Sequence, residues 1–317
     1  MRTVTYSAAY TLVPTYSCFN RCSYCNFRAE PGESPLVTLD AAREQLLPLQ
    51  KQGIVEILIL SGEVHPQSPD RPIWFQRIYD LCCLALEMGF LPHTNVGPLS
   101  YDELAQLKQV NVSMGLMVEQ VTPTLLNSVH RHSPSKVPEV RLQQLDWAGQ
   151  LHIPFTTGLL LGLGESETDW QDTLVAIATC HHRWHHIQEV ILQPHSPGSS
   201  QTWHGEGFDL SRLPEVVAIA RRLLPSDITI QIPPNLVHYP SILLECLDAG
   251  ARDLGGLGPT DEVNPDYPHP TPTRLRTIIE PEGWVLQWRS PVYPHYYSWL
   301  PRQLQAKLEV HTDATSP

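Results

Sequence analysis

Three cysteines lie in one short run, Cys18-Phe-Asn-Arg-Cys22-Ser-Tyr-Cys25. Three thiolates at this CxxxCxxC spacing can ligate three irons of a cubane from a single loop. The fourth iron is then open to chelate another molecule. A structural zinc site would want four ligands, usually as two separated CxxC pairs. No second pair exists: Cys180 and Cys246 stand alone, and the adjacent Cys82 and Cys83 sit in a helical pattern that turns them to different sides. The residue types favour an iron–sulfur cluster over zinc or a fortuitous trio. Other reactive or binding groups recur where apolar runs end, in Ser61-Gly62-Glu63, His93-Thr94-Asn95, Glu119-Gln120, Gly162 to Glu165, Gln193-Pro194-His195 and Pro234-Asn235. Loops are polar as a rule, but that does not explain why Glu, Asn, Gln and His follow strand after strand.

The elements that must position these groups alternate. Short apolar runs at 11–14, 55–60, 91–94, 112–116, 155–161, 190–193, 228–232 and 252–254 predict strands. Helical periodicity covers 39–52, 73–88, 101–109, 138–148, 170–182, 212–224 and 241–249, with Pro138 suited to a first helical position. Gly53, Gly89, Gly149 and Gly250 stand where left-handed C-terminal caps are expected. Alternation repeated this often predicts an α/β fold, a TIM-type (β/α) barrel of six to eight parallel strands, whose active site is built from the loops at the C-terminal ends of its strands. The barrel is expected over residues 1–265. Over 266–317 the alternation stops and a C-terminal extension packed on the barrel is expected. In it, 277–279 and 285–288 read as a hairpin across Glu280-Pro281-Glu282-Gly283, and 311–317 as a frayed end.

Charge narrows the partners. Asp and Glu number 33 against 21 Lys and Arg, giving a net charge of −12, and no basic run is present, so nucleic acid is not an expected ligand. The longest apolar runs fall far short of the roughly 20 residues of a membrane helix. The start of the chain lacks the basic and apolar segments of a signal peptide. A cytoplasmic location without membrane contact is the expectation.

With Tyr24 before the third cysteine, the loop resembles the CxxxCx-aromatic-C signature of the radical S-adenosylmethionine (SAM) superfamily. Two further stretches are similar to that superfamily's motifs. Ser61-Gly62-Glu63 stands where a Gly-Glu pair binds SAM's amino group, and Gly158-Leu-Leu-Leu-Gly162-Leu-Gly-Glu165 matches GxIxGxxE, where the adenine packs. Ser61 departs from the commoner glycine. The resemblance implies a barrel of the radical SAM kind, a [4Fe–4S] cluster on Cys18, Cys22 and Cys25, and SAM bound by Ser61, Gly62, Glu63, Gly158, Gly162 and Glu165. Glu119 would accept from the ribose hydroxyls; the alternative for it is a rim carboxylate in solvent.

The runs TLVPTYSCFNRCSYCNFR (11–28), EILILSGEVHP (56–66), FLPHTNVGPLS (90–100), NVSMGLMVEQ (111–120), FTTGLLLGLGE (155–165) and EVILQPHSPGS (189–199) narrow the likeness to the deazaflavin synthases of the CofG type, over most of the chain to about Gly258. That resemblance implies a carbon–nitrogen lyase. It would close a tyrosine-derived hydroxybenzyl adduct of a ribityl-aminouracil into a deazaflavin with loss of ammonia, and would use a reductant such as a flavodoxin or ferredoxin. His93, Asn95, Gln193, His195 and Asn235 are expected to face one cavity, with Asn and Gln pairing a uracil edge and His93, Asn95 and His195 as candidate catalytic residues. Two other readings stand beside it: the sister CofH-type condensation of tyrosine with the diaminouracil, and a metal-binding module without catalysis. Sulfur insertion would need a second cysteine-rich loop, which is absent. His181 and His185, at i and i+4, are expected to be a solvated helix end rather than a metal pair. His130-Arg131-His132 is either an anion-binding element or a solvated loop.

Overall fold

The computed structural model describes residues 2–314, and the side chains of residues 2–309. Its strands are β1 (Arg2–Leu12), β2 (Glu56–Leu60), β3 (Leu91–Asn95), β4 (Ser113–Gly115), β5 (Phe155–Leu161), β6 (Ile187–Pro194), β7 (Thr229–Gln231), β8 (Asp253–Leu257) and β9 (Trp284–Trp288). All pair in parallel. β2 to β8 follow one another in chain order, and β1 closes the ring between β8 and β2. This is an eight-stranded TIM-type barrel, with β9 outside it. β5, FTTGLLL, is buried at all seven positions, as a parallel strand covered on both faces should be.

The barrel helices are α1 (Leu39–Leu46), α2 (Arg71–Glu87), α3 (Tyr101–Leu107), α4 (Pro138–Gln150), α5 (Glu167–Trp184), α6 (Leu213–Leu223) and α7 (Pro240–Ala249). Ser100 and Ser166 start α3 and α5 with capping boxes closed by Glu103 and Asp169. Beyond the barrel lie α8 (Pro272–Ile279) and α9 (Arg302–Ala314).

Four expectations are corrected. The first strand begins at Arg2, not Thr11. Its polar sequence RTVTYSAAYTL hides it, because Ala9 and Thr11 line the barrel interior and small or polar residues suffice there. Gly149 is inside α4 and is no cap; a Cβ on it would lie 2.4 Å from the Trp184 ring, so it is small to admit that side chain. The hairpin does not form. Residues 277–279 belong to α8, which Thr271 caps and whose Leu275 and Ile279 are buried one turn apart. β9 pairs instead in parallel with Arg2–Tyr6 of β1. Finally, 311–314 continue α9, and 315–317 lie outside the described residues.

Candidate active site

The loop after β1 carries the cysteines across the C-terminal mouth of the barrel. Backbone bonds hold it in place: Cys18 N–H to Ala29 O (3.2 Å), Phe19 N–H to Glu63 O (3.0 Å), Arg21 N–H to His132 O (2.9 Å) and Ser23 N–H to Val129 O (3.1 Å). Cys18, Cys22 and Cys25 all line one cavity of about 310 Å³ and are free thiols. Cys82 and Cys246 are buried elsewhere, Cys82 beside Thr94 and Asn111. The Glu63 N–H lies 3.3 Å from Cys18 Sγ, the kind of donor that stabilises a ligating thiolate. Gly62 presses on the same loop: its N–H donates to Thr15 O at 2.7 Å, and a Cβ would come within 2.2 Å of Ser17 O. Three thiols lining one cavity, with a donor on Cys18 Sγ and a tightly seated glycine, fit a three-cysteine cluster with room beside it.

Ser61, Gly62, Glu63 and Glu119 share the cavity wall. Ser61 Oγ accepts from Trp74 Nε1 at 3.0 Å, which anchors the end of β2 to α2. Glu63 accepts from Asn20 Nδ2 (2.8 Å), from Ser135 Oγ and from Arg141 (3.2 Å). Glu119 is not a rim carboxylate. It is 5% exposed, held in a left-handed turn at φ 67°, and bonded to Tyr24 Oη (2.6 Å), His130 Nε2 (3.0 Å) and Lys136, with Arg141 4.0 Å away. Burial alone would raise its pKa, but Lys136, His130 and Arg141 hold it well below the carboxylate range. His130 is therefore a buried strut, while Arg131 and His132 are exposed. The Cys22 thiol is pushed up by burial and, less, by Glu119, with Lys136 opposing them only in part. Lys136 and Arg141 were not singled out from sequence. Arg141 shares an inward helical face with Leu145 and Ala148, and a charge on that face was the available signal.

Gly158, Gly162 and Glu165 shape the wall without lining the cavity. A Cβ on Gly158 would meet Ile191 O at 2.3 Å, and one on Gly162, at φ 91°, would meet Phe208 Cα at 2.7 Å. Glu165 accepts from the N–H groups of Gly162 (2.6 Å) and Leu163 (2.7 Å) and from Trp170 Nε1 (2.9 Å). A larger residue at 162 would thus displace the Phe208 segment before it met any ligand.

The strand-end polar groups divide between two adjoining cavities instead of sharing one. His195 lines the upper, His93 and Asn235 the lower, and Asn95 and Gln193 both. Gln201 donates to Trp203 O, so its Oε1 accepts from His195 Nε2 at 3.0 Å, leaving His195 Nδ1 as a buried lone pair without a partner. Burial lowers its pKa, opposed by the Gln201 bond, so the ring is neutral near pH 7. His93 donates from Nδ1 to Ser113 Oγ at 2.7 Å, since that hydroxyl itself donates to Pro291 O; burial takes its pKa down to about 3. Sequence reading missed the barrel floor altogether. There Arg289 donates to Asp253 (2.6 and 2.8 Å) and to Glu189, with Glu56 nearby.

The helix-end histidines are not simply solvated. His181 is fully buried, and its Nδ1 accepts from the Ile187 N–H at 3.2 Å. Its Nε2–H is thereby left to donate to Asp227 at 3.1 Å, so no His181 lone pair remains for a cation.

The family model for the radical SAM superfamily matches residues 12–177. A Trichormus variabilis protein named 7,8-didemethyl-8-hydroxy-5-deazariboflavin synthase is 65% identical over 304 residues, covering 96% of this chain and 89% of its own length. A protein of the same name from Synechocystis is 57% identical over 310 residues, covering 98% and 99%. Among solved structures, the hydrogenase maturase HydG from Carboxydothermus hydrogenoformans superposes with a TM-score of 0.75 at 17% identity, over 98% of this chain and 77% of HydG. Methylornithine synthase superposes with 0.68 at 16%, over 98% and 86%. These two likenesses concern the fold alone. No described helix is long and apolar enough to cross a membrane. By motif, fold and full-length identity, the chain belongs to the radical SAM superfamily and, within it, to the family of the 7,8-didemethyl-8-hydroxy-5-deazariboflavin synthases.

Proposed function

We propose that this chain forms the deazaflavin chromophore 7,8-didemethyl-8-hydroxy-5-deazariboflavin. Its substrate is 5-amino-5-(4-hydroxybenzyl)-6-(D-ribitylimino)-5,6-dihydrouracil, and ammonia, 5′-deoxyadenosine and methionine are released. The observation that carries the reading is that Cys18, Cys22 and Cys25 share one cavity at the barrel mouth with Asn95, Gln193 and His195. A [4Fe–4S] cluster with SAM supplies, when bound, a 5′-deoxyadenosyl radical able to remove a hydrogen atom from the substrate. Cys18, Cys22 and Cys25 hold the cluster. Glu63 accepts from the methionine ammonium, with Arg141 fixing its carboxylate. Ser61 and Gly62 set the loop, and Gly158, Gly162 and Glu165 shape the adenosine side. Glu119, on the cavity wall, is assigned to accept from a ribose hydroxyl. Leu58, Leu60, Leu116 and Leu160 exclude water from the reacting centre. His195 accepts a proton at its unpaired Nδ1 as the ring closes and ammonia leaves. Asn95 and Gln193 offer the donor and acceptor pair that a uracil edge needs. A one-electron donor such as a flavodoxin or ferredoxin is the expected partner, and the cytoplasm the expected location.

Two experiments check this. Given tyrosine and the ribityl-diaminouracil instead of the adduct, the enzyme forms no adduct; if it condenses them, the assignment passes to the sister reaction. Glu63→Ala weakens SAM binding by roughly tenfold or more, the scale of a charge-assisted bond lost from a buried site, while the iron content is kept. Calorimetric titration giving unaltered SAM affinity would remove Glu63 from the cofactor's contacts.

A further inference from the structure

Beneath the cysteine cavity the barrel interior continues into a second space of about 180 Å³. Leu58, Asn95, Ile191 and Gln193 belong to both, so one molecule can occupy the two together. The wall chemistry changes along this axis. Leu60, Leu116 and Leu160 face the upper space, whereas Glu56, His93, Gln231 and Asn235 face the lower.

Two polar atoms of the lower wall are buried without a partner, Asn235 Oδ1 and His269 Nδ1. Asn235 is only 7% exposed. Its amide orientation is fixed, because Nδ2 donates to the Asp261 carboxylate at 2.8 Å and to Tyr267 O at 2.9 Å, leaving Oδ1 as an unmet acceptor. A buried acceptor in that state costs about 1–3 kcal/mol, a penalty removed when a donor enters the space beside it. His269 is kept neutral by burial, and a neutral imidazole nitrogen pairs with a group able to donate or accept. A hydroxyl suits both atoms. The space has no cation to spare: Arg289 at its floor is engaged by Asp253 and Glu189, and Glu56, whose pKa burial raises, and Asp261 put further carboxyl groups on the wall.

The geometry points to the lower cavity as the subsite of a neutral polyol chain, the ribityl arm of the pyrimidine, with a phosphorylated arm rejected by the surrounding carboxyl groups. This placement rests on the functional reading above. It orients the substrate with its polyol towards the floor and its ring system towards the cysteines.

Fluorescence titration of the reconstituted enzyme tests it with three ligands: the deazaflavin product, the same chromophore with methyl in place of ribityl, and the product's 5′-phosphate. The wild type should bind the product about tenfold or more tighter than the methyl compound, and the phosphate more weakly than the product. Asn235→Ala should lower product affinity several-fold and leave the methyl compound's affinity unchanged. His269→Ala, on another segment, should do the same and serves if the Asn235 variant does not fold. Equal binding of product and methyl compound, a phosphate bound as tightly as the product, or variants that weaken both chromophores alike would overturn the subsite while leaving the functional reading in place. If the wild type bound none of the three, the functional reading would fall, and the subsite with it.

Discussion

Replacing any one of Cys18, Cys22 or Cys25 with alanine should eliminate reductive SAM cleavage, with at least a 10³-fold loss, the scale expected when a whole catalytic group is removed. A cubane held by three protein thiolates has no spare ligand. The other free cysteines cannot substitute, because none lines the cavity. Cys82→Ala, Cys180→Ala and Cys246→Ala should therefore retain iron and SAM cleavage, apart from modest stability costs where the site is buried. Iron and sulfide analysis with 5′-deoxyadenosine quantified by chromatography separates the two groups. Cluster loss in Cys180→Ala with retention in Cys25→Ala would show the ligand assignment to be wrong.

The second large effect lies at the other end of the barrel. Arg289→Met removes the cation facing Glu189 and Asp253, whose side chains are 5% and 0% exposed. Leaving buried carboxylates uncompensated costs about 3–5 kcal/mol. The penalty should depend on pH. Burial lifts Glu189 to about 8, with Arg289 pulling it down and Asp253 pushing it up. A carboxyl raised in the folded state holds a proton that the unfolded chain releases, so stability falls as pH rises from the ordinary carboxylate range through about 8. Without Arg289 the Glu189 pKa rises further, because ionisation is then uncompensated, and the fall extends to higher pH. Urea unfolding at pH 5.5 and pH 8 should show the larger deficit at pH 8. Equal deficits at both would mean that the guanidinium contributes by packing and not by charge.

Parts of this architecture were plain in the sequence for physical reasons. The cysteine spacing needs no tertiary context, and Phe155–Leu161 carries no charged residue because the strand is buried on both faces. Other parts were hidden because tertiary neighbours decide them. β1 reads as polar because its inward face needs only Ala9 and Thr11. Residues 285–288 carry the alternation of any strand, and only the exposed edge of β1 makes their pairing parallel. Glu119 and Glu189 look like surface carboxylates until Lys136, Arg141 and Arg289 arrive from distant segments. The likeness to known motifs located Glu63 but gave no sign that Asn20, Ser135 and Arg141 would orient it.

The most direct test of the central claim follows two products in one anaerobic sample. Reconstituted enzyme, reductant, SAM and the tyrosine–uracil adduct are incubated together while deazaflavin fluorescence and 5′-deoxyadenosine are both recorded, for the wild type and for Cys25→Ala. The account predicts that both signals rise together in the wild type and that neither rises in the variant. Deazaflavin formed by the variant, or 5′-deoxyadenosine released by the wild type while the adduct remains intact, would contradict it.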